Sequence, residues 1–338
     1  MRAFVYERVS NPAAAVASGN LPGGTIGVGE AQFLAGGTTL LDLMKLDVMR
    51  PQAVIDINPL ANSMLGRIEA NQQHLRLGAL VRMAEAAEHP VLRRDYPVIA
   101  QSLELAASQQ IRNMASLAGN VLQRTRCTYF RDVSYANCNK RNPGSGCAAL
   151  DGFNRMHAVL GVSDDCIATY PGDFAQALIA LDAEVETMGP NGNRSLPFAA
   201  LHRQPGDTPD VETTLEAGEM ITSFALPALP WARRSLYLKI RDRESYEFAL
   251  ASAAVALDLQ NGNVRTARIA LGGIATVPWR ARGAENALRG KPINAQTARA
   301  AAEAAFAPAR GREHNSFKIE LGKRTLVRAL QQAAAMEV

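Results

Sequence analysis

Cysteine is scarce in this sequence and confined to one region. Only four of the 338 residues are cysteine, and three of them fall within the stretch CTYFRDVSYANCNKRNPGSGC. The sequence also lacks an apolar run near the ~18 residues of a membrane-spanning helix, and it lacks a basic run interleaved with aromatic residues. These absences argue against a disulfide-rich scaffold, a membrane span and nucleic-acid binding. They leave the cysteine region as the feature that most needs an explanation.

A secretory signal is also missing from the first twenty residues. Glu7 and Arg8 interrupt the apolar character there, and the run Ala13–Ala17 is shorter than the apolar region of ~7–15 residues in a signal peptide. We therefore expect no signal in this chain, which would stay in the cytoplasm or reach the periplasm by export with a partner subunit. In such a chain, clustered cysteines favour a metal over a disulfide framework.

The composition is that of an ordinary globular enzyme, with 47% hydrophobic residues and a net charge of +4. In the first part of the chain, Ala31–Asp47 has the pattern of a strand, a glycine turn and an amphipathic helix. Ala53–Ile57 has the pattern of a second strand that returns to the same sheet. This order predicts a parallel βαβ unit. The other elements predicted here are strands at Ala3–Arg8, Leu75–Leu80 and Val185–Met188, a helical stretch up to Ala107, and a helix at Asp173–Ala183.

The pattern changes near Leu229-Pro230. Ser235–Arg243 and Val255–Ile274 are typical of antiparallel strands, with Asn261-Gly262 as a hairpin turn, and two helices are predicted at Asn294–Phe306 and Phe317–Met336. We predict an α+β protein of two domains. The first covers residues 1–228 and contains a cysteine-bearing insert at 124–166, and the second covers residues 229–338.

Two turns of small residues are candidates for binding an anion. The first joins a predicted strand to a helix and consists of Ala35, Gly36, Gly37, Thr38, Thr39 and Leu40. The second contains Ala118, Gly119 and Asn120 in IRNMASLAGN. Glycine allows a close approach of backbone N–H groups to phosphate, although each turn could equally be structural. Neither is a Walker A loop or a G-x-G-x-x-G fingerprint, but two such turns in one domain suit a dinucleotide.

At this point the sequence resembles a known family. FLAGGTTLLDLMK, LRLGAL, IRNMASLAGN and YLKIRDR occur in the order seen in flavin subunits of the xanthine oxidase, or molybdenum hydroxylase, family. ALGGIATVPWRARGAE resembles the C-terminal domain of the same subunits, as found in the carbon monoxide dehydrogenase flavoprotein. RTRCTYF, CNKRNPGSGCAALDGF and CIATYPGD are most similar to the flavin subunits of heterotrimeric periplasmic aldehyde oxidoreductases.

The resemblance implies a two-lobed FAD-binding domain of the vanillyl-alcohol-oxidase type. The pyrophosphate of FAD would lie on the two turns, Asp173 would contact the cofactor, and Lys239 would lie near the isoalloxazine. Ala118 and Gly172 stand where many relatives have glycine and serine. Gly23–Glu30 resembles a short insertion relative to the most similar flavin subunits.

Three explanations of the cysteines remain open from their spacing. Disulfides could pair in three ways, zinc usually has closer pairs of cysteines, and four thiolates also hold a [4Fe–4S] cluster. The resemblance implies the cluster, with Cys127, Cys138, Cys147 and Cys166 as its ligands. Cations outnumber acidic residues in the insert and would offset the cluster's charge, or they could form a solvated face or a docking surface.

The implied function is electron transfer within a heterotrimer. Aldehyde oxidation would occur at a molybdenum cofactor on a large partner subunit, and [2Fe–2S] clusters on a small partner would pass electrons to FAD and then to an external acceptor. No catalytic residue is predicted: the five histidines are scattered, and no G-x-S-x-G elbow occurs. The alternatives are the flavin subunit of another molybdenum hydroxylase (such as a hydroxybenzoyl-CoA reductase), a self-contained FAD oxidoreductase, and an assembly protein with structural zinc.

Overall fold

A small parallel sheet forms the first lobe. The computed structural model describes residues 1–20, 31–71 and 74–338, so the predicted insertion Gly23–Glu30 lies outside the described residues. The elements of this lobe are β1 (Val5–Arg8), α1 (Pro12–Gly19), β2 (Ala31–Leu34), α2 (Leu40–Lys45) and β3 (Ala53–Asp56). The strand order is β1-β3-β2 and both pairs are parallel, which confirms the predicted βαβ unit.

The second lobe packs helices on a five-stranded sheet. Its helices, with one short helix of the insert, are α3 (Met83–Glu88), α4 (Pro90–Asp95), α5 (Pro97–Glu104), α6 (Gln109–Met114), α7 (Leu117–Val121), α8 (Thr128–Arg131, insert) and α9 (Phe174–Ala180). Its strands are β4 (Ile68–Ala70), β5 (His74–Gly78), β6 (Glu184–Gly189), β7 (Gly192–Pro197) and β8 (Met220–Pro227). The order is β4-β5-β8-β6-β7, and every pair is antiparallel.

Proline divides the helical stretch predicted up to Ala107. Pro90 and Pro97 are each the first residue of a helix, because proline fixes a helical φ but supplies no N–H for the preceding turn. The predicted single stretch is therefore three short helices followed by α6. Their inner faces share a core with the sheet, in which Phe174 and Phe224 make an edge-to-face contact at 5.8 Å between ring centroids.

An antiparallel sheet and three helices complete the chain. They are β9 (Ser235–Ile240), β10 (Ala251–Gln260), β11 (Asn263–Gly272), β12 (Trp279–Arg280), α10 (Arg282–Leu288), α11 (Ala295–Phe306) and α12 (Phe317–Ala334). Asn261 and Gly262, with φ of 51° and 78°, form the predicted turn between β10 and β11, as a two-residue hairpin with two positive φ angles requires. Short 3₁₀ helices occur at Asn58–Asn62, Met64–Gly66, Phe198–Ala200 and Pro230–Arg233.

A buried lysine on α12 fixes the end of the cysteine-bearing insert to this last sheet. Lys318 is fully buried, and its Nζ donates to the carbonyl oxygens of Met156 (3.2 Å), His157 (3.2 Å) and Gly273 (2.6 Å). The insert itself has little regular structure, so such contacts replace the backbone pairing that a strand or helix would provide. In the described part of the chain, no helix is long and apolar enough to cross a membrane.

We expect Lys318→Met to lower the free energy of unfolding by about 3 kcal/mol, because it leaves buried carbonyl oxygens without a donor. Chemical denaturation of the full chain measures this change. Lys291→Met, at an exposed position, is the matched control. Equal denaturant concentrations at the unfolding midpoint of the two variants would show that the Lys318 contacts do not stabilise the fold.

Candidate functional site

A deep cleft separates the two lobes. Its empty volume is about 1300 Å³ when its open mouth is counted, and both lobes contribute to its walls. All six residues of the first predicted turn, Ala35 to Leu40, lie in the wall. Ala118 and Gly119 of the second turn lie in it as well. The structure therefore brings the two predicted segments together in the wall of one cavity.

The first turn offers unused hydrogen-bond donors. Gly37 has a φ of 72°, a conformation that glycine adopts without strain. Thr39 precedes α2, but its side chain does not cap the helix. Among the described residues, none accepts a hydrogen bond from the backbone N–H groups between Gly36 and Leu40. Such a set of N–H groups at the start of a helix suits a phosphate.

The second predicted turn is not a turn in the structure, because Ala118, Gly119 and Asn120 lie inside α7 (Leu117–Val121), whose N-cap is Ser116. Its N–H groups are already used: Ala118 donates to the Ala79 carbonyl (3.0 Å), Gly119 to Ser116 Oγ (3.2 Å), and Asn120 to the Ser116 carbonyl (2.9 Å). Ala118 and Gly119 thus contribute small size rather than donors. Asn120 lies outside the cleft wall, and its buried Oδ1 has no hydrogen-bond partner among the described residues.

Gly36 holds the first turn against the backbone that precedes α7. A Cβ atom at this position would lie 2.1 Å from the Met114 carbonyl oxygen and 2.9 Å from Ala115 Cα, so no other residue fits. Arg82 reinforces the contact, since it donates to the Met114 carbonyl and, at 2.9 Å, to Asn58 Oδ1. The sequence predicted that glycine here allows a ligand to approach the turn. In the structure, Gly36 is required because the backbone of Met114 and Ala115 packs directly against it.

Asp173 and Lys239 lie together outside the cleft wall. Lys239 Nζ is 2.8 Å from Asp173 Oδ2, and both side chains are buried. The Tyr237 hydroxyl donates to Asp173 Oδ1 at 2.6 Å, and Lys239 also donates to the Leu105 carbonyl. The structure therefore pairs the two residues that sequence motifs assigned to the cofactor. Their contact with the cofactor stays a prediction.

All four cysteines line one small cavity beside α8. They are free thiols, and Cys138 and Cys147 face each other across an isolated antiparallel bridge. In residues 1–20, 31–71 and 74–338 no three or more His, Cys, Asp or Glu side chains converge as they would on a single metal ion.

The environments of the four thiols differ. Burial raises the pKa of Cys127 to about 12. The Cys166 thiol donates to the Cys147 sulfur, which lowers the pKa of Cys147 to about 6 and raises that of Cys166. His157, which spacing alone did not mark as a ligand, places Nε2 3.1 Å from Cys127 Sγ. No short sequence spacing connects these two residues, so no local signal could have found the contact.

Most of the insert's cations pair with residues outside the insert, whereas Arg141 donates to carbonyl oxygens within it. Arg126 and Arg131 both bind Asp42 of α2, at 3.3 and 2.9 Å. Arg155 binds Asp242, just after β9, at 2.7 Å. Exposed ion pairs contribute little each, but the two pairs with Asp42 hold the insert against the helix that begins at the first turn.

A further ionic group joins the cleft to the cysteine cavity. Glu212 accepts two hydrogen bonds from Arg124, both at 3.2 Å, and lies 2.8 Å from Lys140 Nζ. Arg124 and Glu212 lie in the wall of the cleft, and Lys140 lies in the wall of the cysteine cavity. Burial opposes ionisation, but the two cations hold the pKa of Glu212 at about 2.

Comparison with known proteins identifies the type of chain. The family model described as the FAD binding domain in molybdopterin dehydrogenase matches residues 8–229, and the one described as the CO dehydrogenase flavoprotein C-terminal domain matches residues 236–333. The aldehyde oxidoreductase FAD-binding subunit PaoB of Escherichia coli (strain K12) is 47% identical over 338 residues, which cover 99% of each chain.

More distant relatives have the same fold. The carbon monoxide dehydrogenase medium chain of Hydrogenophaga pseudoflava is 26% identical over 310 residues, 90% of each chain. A solved structure of that organism's carbon monoxide dehydrogenase matches with a TM-score of 0.75, covering 98% of this chain and 97% of the other at 26% identity. Quinoline 2-oxidoreductase from Pseudomonas putida 86 matches in fold, with a TM-score of 0.73.

We expect Gly119→Val to reduce flavin retention at least tenfold, because added carbons would fill the cleft wall where only small residues lie. Flavin per chain after desalting measures this effect. Gly119 does not require a positive φ, and a Cβ there meets only Ser116 Oγ, at 2.9 Å. The fold should therefore survive. Ala17→Val, at an exposed position of α1, is the control, and full flavin content in Gly119→Val would remove this turn from the site.

We expect Asp173→Asn and Lys239→Met each to destabilise the chain by about 3–5 kcal/mol, because each leaves one buried charge unpaired. The double variant should recover most of that stability. If the pair also contacts the cofactor, the double variant will still show an altered flavin potential or affinity. A double variant with the wild-type potential and affinity would limit the pair to a structural role.

Proposed function

This chain belongs to the FAD-binding subunits of the molybdenum hydroxylases, and we propose that it is an electron-transfer subunit that holds FAD and one [4Fe–4S] cluster. The single observation that carries the proposal is the arrangement of two neighbouring cavities. One is lined by two turns of small residues and the other by all four cysteines. Flavins and clusters exchange electrons and need positioning more than catalytic side chains.

The cleft residues fit FAD. Open N–H groups between Gly36 and Leu40 would bind its pyrophosphate, and Ala118 and Gly119 would leave room for it. When bound, FAD would accept electrons from a donor and pass them to an acceptor. The buried Oδ1 of Asn120 receives no hydrogen bond from the described residues. A donor group on the ligand or an ordered water would supply one.

The cleft does not fit a self-contained oxidase. Such an enzyme needs an acid or base with a free lone pair or proton beside its substrate. Among the cleft residues that the structure describes, the acidic ones are Glu212 and Glu219, and both are already paired with arginine. This favours substrate oxidation on another subunit.

Four thiols that line one cavity are the ligand set of either a zinc ion or a [4Fe–4S] cluster. The sequence resemblance of the insert is what favours the cluster. Cys127, Cys138, Cys147 and Cys166 would hold the cluster as thiolates, and when bound it would supply one-electron exchange. Because three of the four lie in a loop without regular structure, the cluster would also order that loop.

The partners follow from the family. We propose a molybdenum-cofactor large subunit, where an aldehyde would be oxidised, and a small subunit with [2Fe–2S] clusters. The aldehyde class rests on the name of the relative from Escherichia coli, which is 47% identical. A flavin subunit of another molybdenum hydroxylase is the second candidate, because the carbon monoxide dehydrogenase chain also matches along 90% of its length.

We also propose the division into domains at 1–228 and 229–338. It is supported by the gap between the two matched family regions, which falls between residues 229 and 236. Among the described strands, the last four form a sheet of their own.

We expect the purified chain to contain about four iron atoms and acid-labile sulfide besides FAD, and each single Cys→Ser variant at the four positions to lose most of its iron. Iron, sulfide and flavin analyses with absorption spectra measure this. Most of the flavin should remain at saturating FAD, since both turns lie outside the insert.

Val133→Ser, an exposed change in the same loop, is the matched control and should keep its iron. Zinc in place of iron, disulfides in the isolated wild type, or a full iron content in Cys138→Ser would each contradict the cluster assignment. Aldehyde oxidation by the lone chain would contradict the proposed dependence on partners.

A further inference from the structure

The ring of His157 faces one of the four cysteines. Its Nε2 lies 3.1 Å from Cys127 Sγ, and the residue is only 5% exposed. We propose that His157 donates a hydrogen bond from Nε2 to the Cys127 sulfur and thereby sets the reduction potential of the cluster that the four thiols hold. His157 acts through Cys127, so it is a positioning residue and not a ligand. The proposal rests on the [4Fe–4S] cluster proposed above.

The chemistry of the sulfur decides the direction of this hydrogen bond. A cysteine binds iron as a thiolate, which accepts a hydrogen bond but has no proton to donate. The proton between the two atoms must therefore be on Nε2. The other ring nitrogen agrees with this assignment, because Nδ1 is buried and has no hydrogen-bond partner among the described residues. An N–H group placed there would be a buried donor without an acceptor.

Buried contacts on both sides hold the His157 ring in place. The backbone N–H of His157 donates to the Asn154 carbonyl at 2.9 Å, and the His157 carbonyl accepts from Lys318 Nζ at 3.2 Å. Asn154 and Lys318 are themselves buried. The Tyr129 ring packs beside the imidazole, with 6.1 Å between the ring centroids. The donor is therefore fixed before any charge on the sulfur changes, which is the condition for a strong electrostatic effect.

A fixed donor at this sulfur favours the reduced cluster. Reduction adds one electron, whose negative charge the cluster shares with its thiolate ligands, and hydrogen bonds to the sulfurs are one means by which a protein tunes the potential. A hydrogen bond strengthens as the charge on its acceptor grows. The bond from His157 thus stabilises the reduced state more than the oxidised state, and its loss should lower the reduction potential.

Other polar groups near the thiols do not duplicate this donor. Cys166 Sγ accepts from the backbone N–H of Ala168 at 3.4 Å, and replacing a side chain does not remove that group. Arg131 binds Asp42, and Arg141 donates to backbone carbonyl oxygens of the insert. His157 is thus a side-chain donor whose effect on the potential a single substitution can measure.

The test is a redox titration of the full chain with its iron and flavin, followed by electron paramagnetic resonance of the cluster. His157→Phe removes the donor and keeps an aromatic ring. We expect the equilibrium constant for one-electron reduction of the cluster to fall about tenfold, a shift of ~59 mV to lower potential. His157→Gln, whose amide N–H can replace Nε2–H, should recover most of the wild-type potential. His74→Phe, the same change at an exposed position of β5, should change nothing.

A second readout needs only the wild-type chain, so it does not depend on how a variant folds. With isotopically labelled histidine nitrogen, the reduced cluster should show a weak nitrogen coupling. A strong coupling, as from nitrogen bound to iron, would overturn the proposal, and so would the absence of any coupling. Equal potentials for the wild type and His157→Phe at equal iron would also overturn it, as would a His157→Gln potential as low as that of His157→Phe. A wild-type chain without iron would instead overturn the cluster itself.

Discussion

The contact between Gly36 and the Met114–Ala115 backbone is the constraint on which the cleft depends. The first turn lies between β2 and α2 of the first lobe, and Met114 and Ala115 lie at the end of α6 in the second lobe. Because Gly36 has no side chain, the two backbones approach until a carbonyl oxygen occupies the place of a Cβ atom. Within the second lobe, the backbone N–H groups of Met83 and Leu117 donate to the Ala115 and Val81 carbonyls, both at 3.0 Å, and fix this segment. The cleft wall at this contact is therefore made of main chain and small residues, whereas Phe33, Met49, Leu80 and Met220 supply larger apolar side chains elsewhere in the wall.

The same short helix supports both cavities. α2 has six residues, too few to be stable as an isolated helix, so its position depends on packing. Leu43 and Met44 on its buried face share a core with Phe130 and Cys138 of the insert, and Asp42 binds two arginines of the insert. An insert that carries cysteines thus packs on the helix that begins at the first turn. Loss of order in the insert would loosen one wall of the cleft, even though the turns lie outside it.

Sequence patterns predicted the features that are local. The βαβ unit, the Asn261-Gly262 hairpin and the last two helices all follow from periodicity and turn residues, and the structure confirms them. β8 was not predicted, because its apolar run is buried on both faces and shows no alternation; β7 was missed because it is almost entirely exposed. Contacts such as Arg124 with Glu212, 88 positions apart, have no sequence signature. They arise only after two lobes and an insert have packed.

The acidic groups of the cleft are already paired with cations. Burial opposes the ionisation of Glu212 and Glu219, but arginine and lysine partners lower both pKa values, that of Glu212 to about 2. Both carboxylates are therefore ionised and hydrogen-bonded at neutral pH, and neither can donate a proton or accept one without breaking an ion pair. Protonation would have to overcome that pairing, which happens only well below neutral pH. Among the described residues of the cleft, these two carboxylates therefore cannot act as acid–base catalysts without first losing an ion pair.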